Sequence, residues 1–170
     1  FFKGSLGVIP SSVKTMSYHP RIADAFTNLN IAVMECKGKV TPEFKRLIGY
    51  VTSFSSGCLY CQAHTILGAE RFGSTKERLE QVWNYSNSSV FSNAEKAALD
   101  FAFAAASVPN AVTEKEVSQL KNYWAENDIV EIMGVIALFG FLNRWNDSMG
   151  SALEDLPIEK GEEYLKEATN

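Results

Sequence analysis

The sequence predicts an all-α protein of one domain, and three observations carry that prediction. Apolar residues recur three and four positions apart through most of the 170 residues, the period of a single helix face. Ser or Thr followed three residues later by Glu recurs at several places, the spacing of a helix-opening capping box. No alternating run of useful strand length, no linker and no internal repeat interrupts this pattern. At 46% hydrophobic and 21% charged residues, a chain of this length buries a substantial core.

Taken in order, Pro10 and Pro20 punctuate a start that reads as irregular. Ile22, Ala25, Phe26, Leu29 and Val33 then mark a helix that "KGK" breaks. Thr41 before Pro42 is a cap followed by a proline suited to the first helical position. Phe44, Leu47, Ile48 and Val51 form that helix's buried stripe, which ends near Ser55 to Gly57. A new helix opens at "GCLYCQAHT" and stops at Gly73. Capping boxes at Ser74 with Glu77, Ser92 with Glu95 and Thr113 with Glu116 open the next three. Asp128 with Glu131 resembles a fourth, opening a long helix to about Ser148. Pro157 is expected to end the packed region, and "GEEYLKEA" reads as a short polar terminal helix, for seven or eight helices in all. Gly134 and Gly140 inside the long helix each cost about 1 kcal/mol against alanine, and close approach of another helix is the usual compensation.

Composition narrows the function classes. A net charge of −4 with no basic run argues against a nucleic-acid partner. The longest apolar run, Ile132 to Leu142, is too short to span a bilayer. The first ten residues lack the apolar stretch and cleavage site of a secretory signal, and three cysteines do not form a secreted disulfide framework. A reducing, cytoplasmic setting is expected, where Cys-x-x-Cys is more often catalytic or metal-binding than structural.

Cys58, Cys61 and His64 are the chemistry-bearing cluster. Helix N-termini stabilise thiolates through unpaired N–H groups and the helix dipole. A spacing of three puts both sulfurs on one face within reach of a disulfide, and His64, three residues beyond Cys61, could exchange protons with a thiol or leaving group. Zinc is the competing reading, but three ligands on one helix drift around its axis, and the fourth would have to come from Cys36, His19 or a carboxylate. Buried, inert cysteines are the bland alternative. No cofactor is expected. On the same helix, Glu70 lies too far from Cys61 to be its base. Cys36 reads as a small core residue and His19 as a turn residue. Trp83, Tyr85 and Trp145 read as packing residues, and Asn143, Arg144 and Asp147 as a solvated helix end.

"GCLYCQAHT", with "EFKRLIGYVTS" before it and "GAERFGST" after it, resembles the carboxymuconolactone decarboxylase family, in particular its alkylhydroperoxidase D-like, peroxidase-related branch. "LGVIPSSVKTMSYHPRIADAF", "FSNAEKAALDFAFAAASVP", "DIVEIMGVIALFGFLNRWND" and "LEDLP" are similar to the family's segments in order and spacing, so the likeness runs from about residue 6 to 157. It implies one domain with an N-terminal extension (1–40), a core (41–157) and a tail (158–170), assembling as a homo-oligomer. It further implies reduction of hydrogen or organic peroxides, with Cys61 oxidised to a sulfenic acid and Cys58 resolving it as a disulfide. Simple dipole reasoning instead favours Cys58, nearer the helix end, as the stronger thiolate. The expected electron donor is an external dithiol such as a lipoyl group, thioredoxin or a small thiol. Two departures stand out. The family's peroxidases carry a glutamate where this chain has Arg46, and a histidine where it has Tyr60. Both are counted as possible site-lining residues. A redox sensor of the same fold is the alternative, and a lactone decarboxylase, which generally does not depend on the dithiol, is a third reading.

Overall fold

The computed structural model describes residues 1–35 and 38–165, which form ten α-helices and one 3₁₀ segment, with no strand among the described residues. The helices are α1 (Phe2–Leu6), α2 (Ser11–Met16), α3 (Pro20–Met34), α4 (Pro42–Ser56), α5 (Leu59–Arg71), α6 (Lys76–Gln81), α7 (Asn93–Ala106), α8 (Glu114–Tyr123), α9 (Glu126–Met149) and α10 (Asp155–Tyr164). The 3₁₀ segment, Val82–Asn87, follows α6 directly. The start predicted as irregular is instead two short helices, which raises the count. Gly7, at φ +79°, stops α1 in the left-handed conformation that glycine adopts without strain. Pro10 then precedes α2 and Pro20 opens α3, so the prolines begin helices here.

The caps follow the sequence signals at three of five positions. Thr41 accepts from Phe44 N at 3.2 Å, and Ser92–Glu95 and Thr113–Glu116 form reciprocal boxes. The cap of α6 is Thr75, whose hydroxyl accepts from Arg78 N, and not Ser74, which donates to Glu43 Oε1 at 2.7 Å. The long helix begins two residues before Asp128. That carboxylate reaches back from the third helical position to accept from Ala125 N at 3.2 Å.

Helix α4 sits at the centre, packed against α5, α7 and α9. Leu47, Ile48 and Tyr50 of α4, Ile66 and Leu67 of α5, Leu99 of α7, and Ile132 and Leu138 of α9 are all buried there. Even Lys45 is fully buried, paired at 2.6 Å with Glu131 and donating to Val33 O at 2.7 Å. The close helix approach expected at Gly134 and Gly140 occurs elsewhere. A Cβ on Gly134 would meet only Val33 at an ordinary 3.6 Å, and one on Gly140 would meet nothing within 4 Å. At Gly49 a Cβ would lie 2.5 Å from the Phe139 ring, so this glycine sets how closely α4 and α9 meet.

The packed region extends past Pro157. Proline is tolerated in the first turn of α10, where its missing N–H has no intrahelical partner. Helix α10 lies along α5 with Tyr164 buried, and Glu70 accepts from Tyr164 Oη and Lys160 Nζ, each at 2.9 Å. Among the described residues, no helix is long and apolar enough to cross a membrane.

Gly49→Ala forces a methyl group into the Phe139 ring, and overpacking of this kind costs about 1–3 kcal/mol. Urea unfolding is expected to show that loss, whereas Gly140→Ala, with open space at its Cβ, is expected to be neutral or stabilising.

Candidate active site

The site begins at the junction of α4 and α5. Gly57, at φ +78°, ends α4 and turns the chain, and Cys58 takes the N-cap position of α5. Cys58 N donates to Ser53 O at 3.0 Å while its carbonyl accepts from Gln62 N at 3.1 Å, so the backbone holds this cysteine from both sides. Cys58 and Cys61 are both free thiols and both buried.

Cys61 receives its polar partner from a distant helix. Asn146 Nδ2, on α9, donates to Cys61 Sγ at 3.3 Å, and Asn146 Oδ1 is buried without a partner. The hydrogen bond with Cys58, and after it burial, push the Cys61 thiol well above its ordinary range; donation from Asn146 acts in the opposite direction. At this helix start, burial and the neighbouring sulfur therefore outweigh the dipole for Cys61.

His64 does not point its nitrogens at the thiols. Nδ1 lies 2.9 Å from Tyr60 O and Nε2 lies 2.9 Å from Glu154 Oε2. Both neighbours are acceptors, and neither nitrogen is left facing a thiol. The His64 ring also stacks on Tyr60 at 4.3 Å between centroids, and Tyr60 Oη donates to Glu154 Oε1 at 3.2 Å. Ser11 N donates to the same carboxylate oxygen. Burial pushes the Glu154 carboxyl up, but the His64 hydrogen bond and charge, helped by Ser11, prevail and hold it at about 2. Burial first, then the Glu154 charge, raise the Tyr60 phenol above its ordinary range.

These residues surround a cavity of about 70 Å³ whose wall includes Arg46, Tyr60, Cys61, His64 and Asn146. At about 10–15 Å³ per water, it has room for a handful of waters. Phe2, Phe26, Phe139 and Leu142 make the rest of the wall largely apolar. Arg46 donates from Nη1 to Pro42 O at 2.6 Å, and its guanidinium carbon lies 3.5 Å from the centre of the Phe72 ring. Burial lowers the Arg46 pKa to about 10, against an opposing contribution from Glu35. Among the described residues, no group of three or more His, Cys, Asp or Glu side chains could hold a metal ion.

The structure thus brings Cys61, Tyr60, His64 and Arg46 to one cavity and places Cys58 behind Cys61. Sequence reasoning missed Asn146 and Glu154, which lie 85 and 90 residues from their partners Cys61 and His64. No local spacing links them; the nearest signal is the acidic pair in "LEDLP" ahead of Pro157. Asn143 is buried and Arg144 and Asp147 are exposed, along a separate polar cleft with Ser55 and Ser107. Trp145 is half-buried and donates to Thr15 Oγ1 at 3.2 Å, Tyr85 donates to Asp100 at 2.8 Å, and His19 is exposed at the N-cap position of α3. Cys36 lies outside the described residues.

A carboxyl held at about 2 in the fold, against 4.5 ordinarily, contributes stability that is full above pH 4.5 and is lost as the pH falls towards 2. Glu154→Gln should therefore lower stability at pH 7 and flatten its decline between pH 4.5 and 2, read by urea unfolding across that range. Hydrogen bonds to charged groups contribute about 1.5–3 kcal/mol. Removing the Asn146 donor with the similarly sized Asn146→Leu should therefore slow iodoacetamide alkylation of Cys61 about tenfold at pH 7, followed at the Cys61 peptide by mass spectrometry.

The comparisons with known proteins bear on the family and the fold. Residues 20–104 match the model of the carboxymuconolactone decarboxylase family. The crystal structure of the debrominase Bmp8 superposes with a TM-score of 0.92 at 32% identity, over 96% of this chain and 87% of that one. A cysteine-to-alanine variant of Bmp8 in complex with 2,3,4-tribromopyrrole gives the same TM-score and coverage at 31% identity. The alkylhydroperoxidase AhpD core of a peroxidase-related protein from Ralstonia eutropha JMP134 superposes at 0.80 and 24% identity, over 91% of this chain and 82% of that one. Among curated proteins, none matches by sequence. With half its length matched by the family model and a solved relative above 30% identity across nearly all of it, the chain belongs to the carboxymuconolactone decarboxylase family.

Proposed function

We propose that this protein is a dithiol-dependent reductase that takes small, mostly apolar electrophiles into the cavity beside Cys61. The carrying observation is that the Cys61 sulfur faces an apolar cavity, receives an Asn146 N–H and has Cys58 as its immediate neighbour. Cys58 does not line that cavity, so Cys61 meets the substrate and Cys58 resolves. This ordering follows access, not proximity to the helix end.

With an organic hydroperoxide, the Cys61 thiolate attacks the outer oxygen. The S–O bond forms, the O–O bond breaks and the alkoxide leaves, protonated to the alcohol. Cys58 then attacks the Cys61 sulfenic acid, forming the S–S bond and releasing water. Two electrons pass from the dithiol to the peroxide, and an external dithiol restores Cys58 and Cys61. His64, on the cavity wall with Glu154 beside its Nε2, is placed to assist proton transfer to the leaving group. Its nitrogens face Tyr60 O and Glu154, so it does not take the Cys61 proton directly. The high pKa of Cys61 makes thiolate formation the demanding step, and the Asn146 donor assists it.

A second reading is reductive debromination, favoured by the likeness to Bmp8 and by the aromatic wall of the cavity. The same sulfur would accept bromine from a C–Br bond, the carbanion would take a proton, and Cys58 would displace bromide as the disulfide forms. Dithiol plus R–Br gives R–H, disulfide and HBr, again a two-electron reduction.

Reduced protein treated with one equivalent of cumene hydroperoxide, or separately of 2,3,4-tribromopyrrole, is expected to form the Cys58–Cys61 disulfide, seen by peptide mass spectrometry. Alcohol or bromide release tells the two substrates apart. Cys61→Ser should lower turnover with dithiothreitol at least 100-fold, while Cys58→Ser should consume one equivalent and stall. Failure of both oxidants to form the disulfide would overturn the proposal.

A further inference from the structure

The wall of the cavity beside Cys61 holds a buried cation that makes no contact ion pair with a described residue. Among the described residues that line it, Arg46 is the one Lys, Arg, Asp or Glu side chain. It is 5% exposed, and no carboxylate of a described residue lies within 4.0 Å of its nitrogens. The other charged group at this end of the molecule, Glu154, is already matched by His64 at 2.9 Å. A guanidinium carries five N–H donors, and the one hydrogen bond recorded for Arg46 uses Nη1. Glu35 acts on the guanidinium without touching it, and burial outweighs that attraction, so the group gains from an anion brought into the cavity.

The surroundings fix the guanidinium for that task. Phe72 holds its plane by stacking at 3.5 Å, and the Pro42 carbonyl anchors one edge. Gly68 leaves room for the stem, since a Cβ there would lie 3.1 Å from Arg46 Cγ. A planar fork held in this way suits two-point recognition of a delocalised oxyanion. The remaining wall, with Phe2, Phe26 and Phe139, suits a flat apolar body.

We infer that the substrate of this site is a small, planar, apolar monoanion, its charged group paired with Arg46 and its apolar body against the phenylalanines beside Cys61. The inference rests on reading this cavity as the substrate site, and it names the class of electrophile that the dithiol meets. Neutral hydroperoxides of the same size are then poorer ligands than their carboxylate-bearing counterparts.

Calorimetric titration of the reduced protein at pH 7 with benzoate and with benzamide, its neutral counterpart of the same shape, tests this without turnover. Benzoate is expected to bind at least tenfold tighter than benzamide. Arg46→Met should erase that preference while leaving benzamide binding intact, and Arg46→Lys, which keeps the charge but loses the fork, should retain part of it. Equal affinity for the two ligands, no binding of either, or an undiminished preference in Arg46→Met would overturn the inference. Should Arg46→Met fail to fold, as judged by circular dichroism, Arg46→Gln gives the same comparison. Disulfide formation with peroxide is read separately, so the dithiol chemistry and the anion preference stand or fall independently.

Discussion

Glu154 gathers three distant parts of the chain around one carboxylate. The backbone N–H of Ser11, the phenol of Tyr60 and the ring of His64 all converge on it. A carboxylate this enclosed is tolerable only because several donors replace the water it lost. The network fastens α2, α5 and the start of α10 to one another, and α2 and α5 contribute Ser12, Val13, Tyr60, Cys61, His64 and Thr65 to the cavity wall. It also determines what His64 can do. With its nitrogens facing Tyr60 O and Glu154, the ring does not reach the thiols directly.

The dithiol illustrates two opposing influences on one helix start. The dipole and unpaired N–H groups at an N-terminus favour thiolates, yet Cys61 is pushed in the other direction by Cys58 and by burial. The Cys58 hydrogen bond contributes most and burial next, since both sulfurs are buried in the core. The consequence is a guarded thiol, buried and weakly ionised until substrate or a proton shift changes its surroundings. Asn146 is the counterweight, a fixed amide donor whose hydrogen bond grows stronger as negative charge develops on the sulfur.

Charge on the cavity wall separates this site from the peroxidases that its motif resembles. Where the resemblance implies a carboxylate, the chain has Arg46, and Glu154 reaches the motif histidine from the opposite end of the sequence. The cavity thereby gains a fixed cation and keeps a carboxylate–histidine pair. That combination suits an electrophile bearing negative charge, and the aromatic lining supplies its apolar complement.

The sequence by itself determined what short-range interactions determine. Thr41, Ser92 and Thr113 cap their helices because each bond closes within three residues, and Cys58 and Cys61 share a helix start because of their spacing alone. Ser74 misled because its neighbour Thr75 was equally able to cap, and a tertiary partner, Glu43, claimed the Ser74 hydroxyl. Only the tertiary structure decided the rest. Gly49, not the glycines of α9, sets the closest helix approach, since that depends on where Phe139 falls on another helix. Asn146 and Glu154 join the site across 85 and 90 residues, and Arg46 becomes a buried charge without a contact ion pair only once the core closes around it. Helical periodicity specifies which face of a helix is apolar, but which polar groups meet across the core follows from how all the helices pack together.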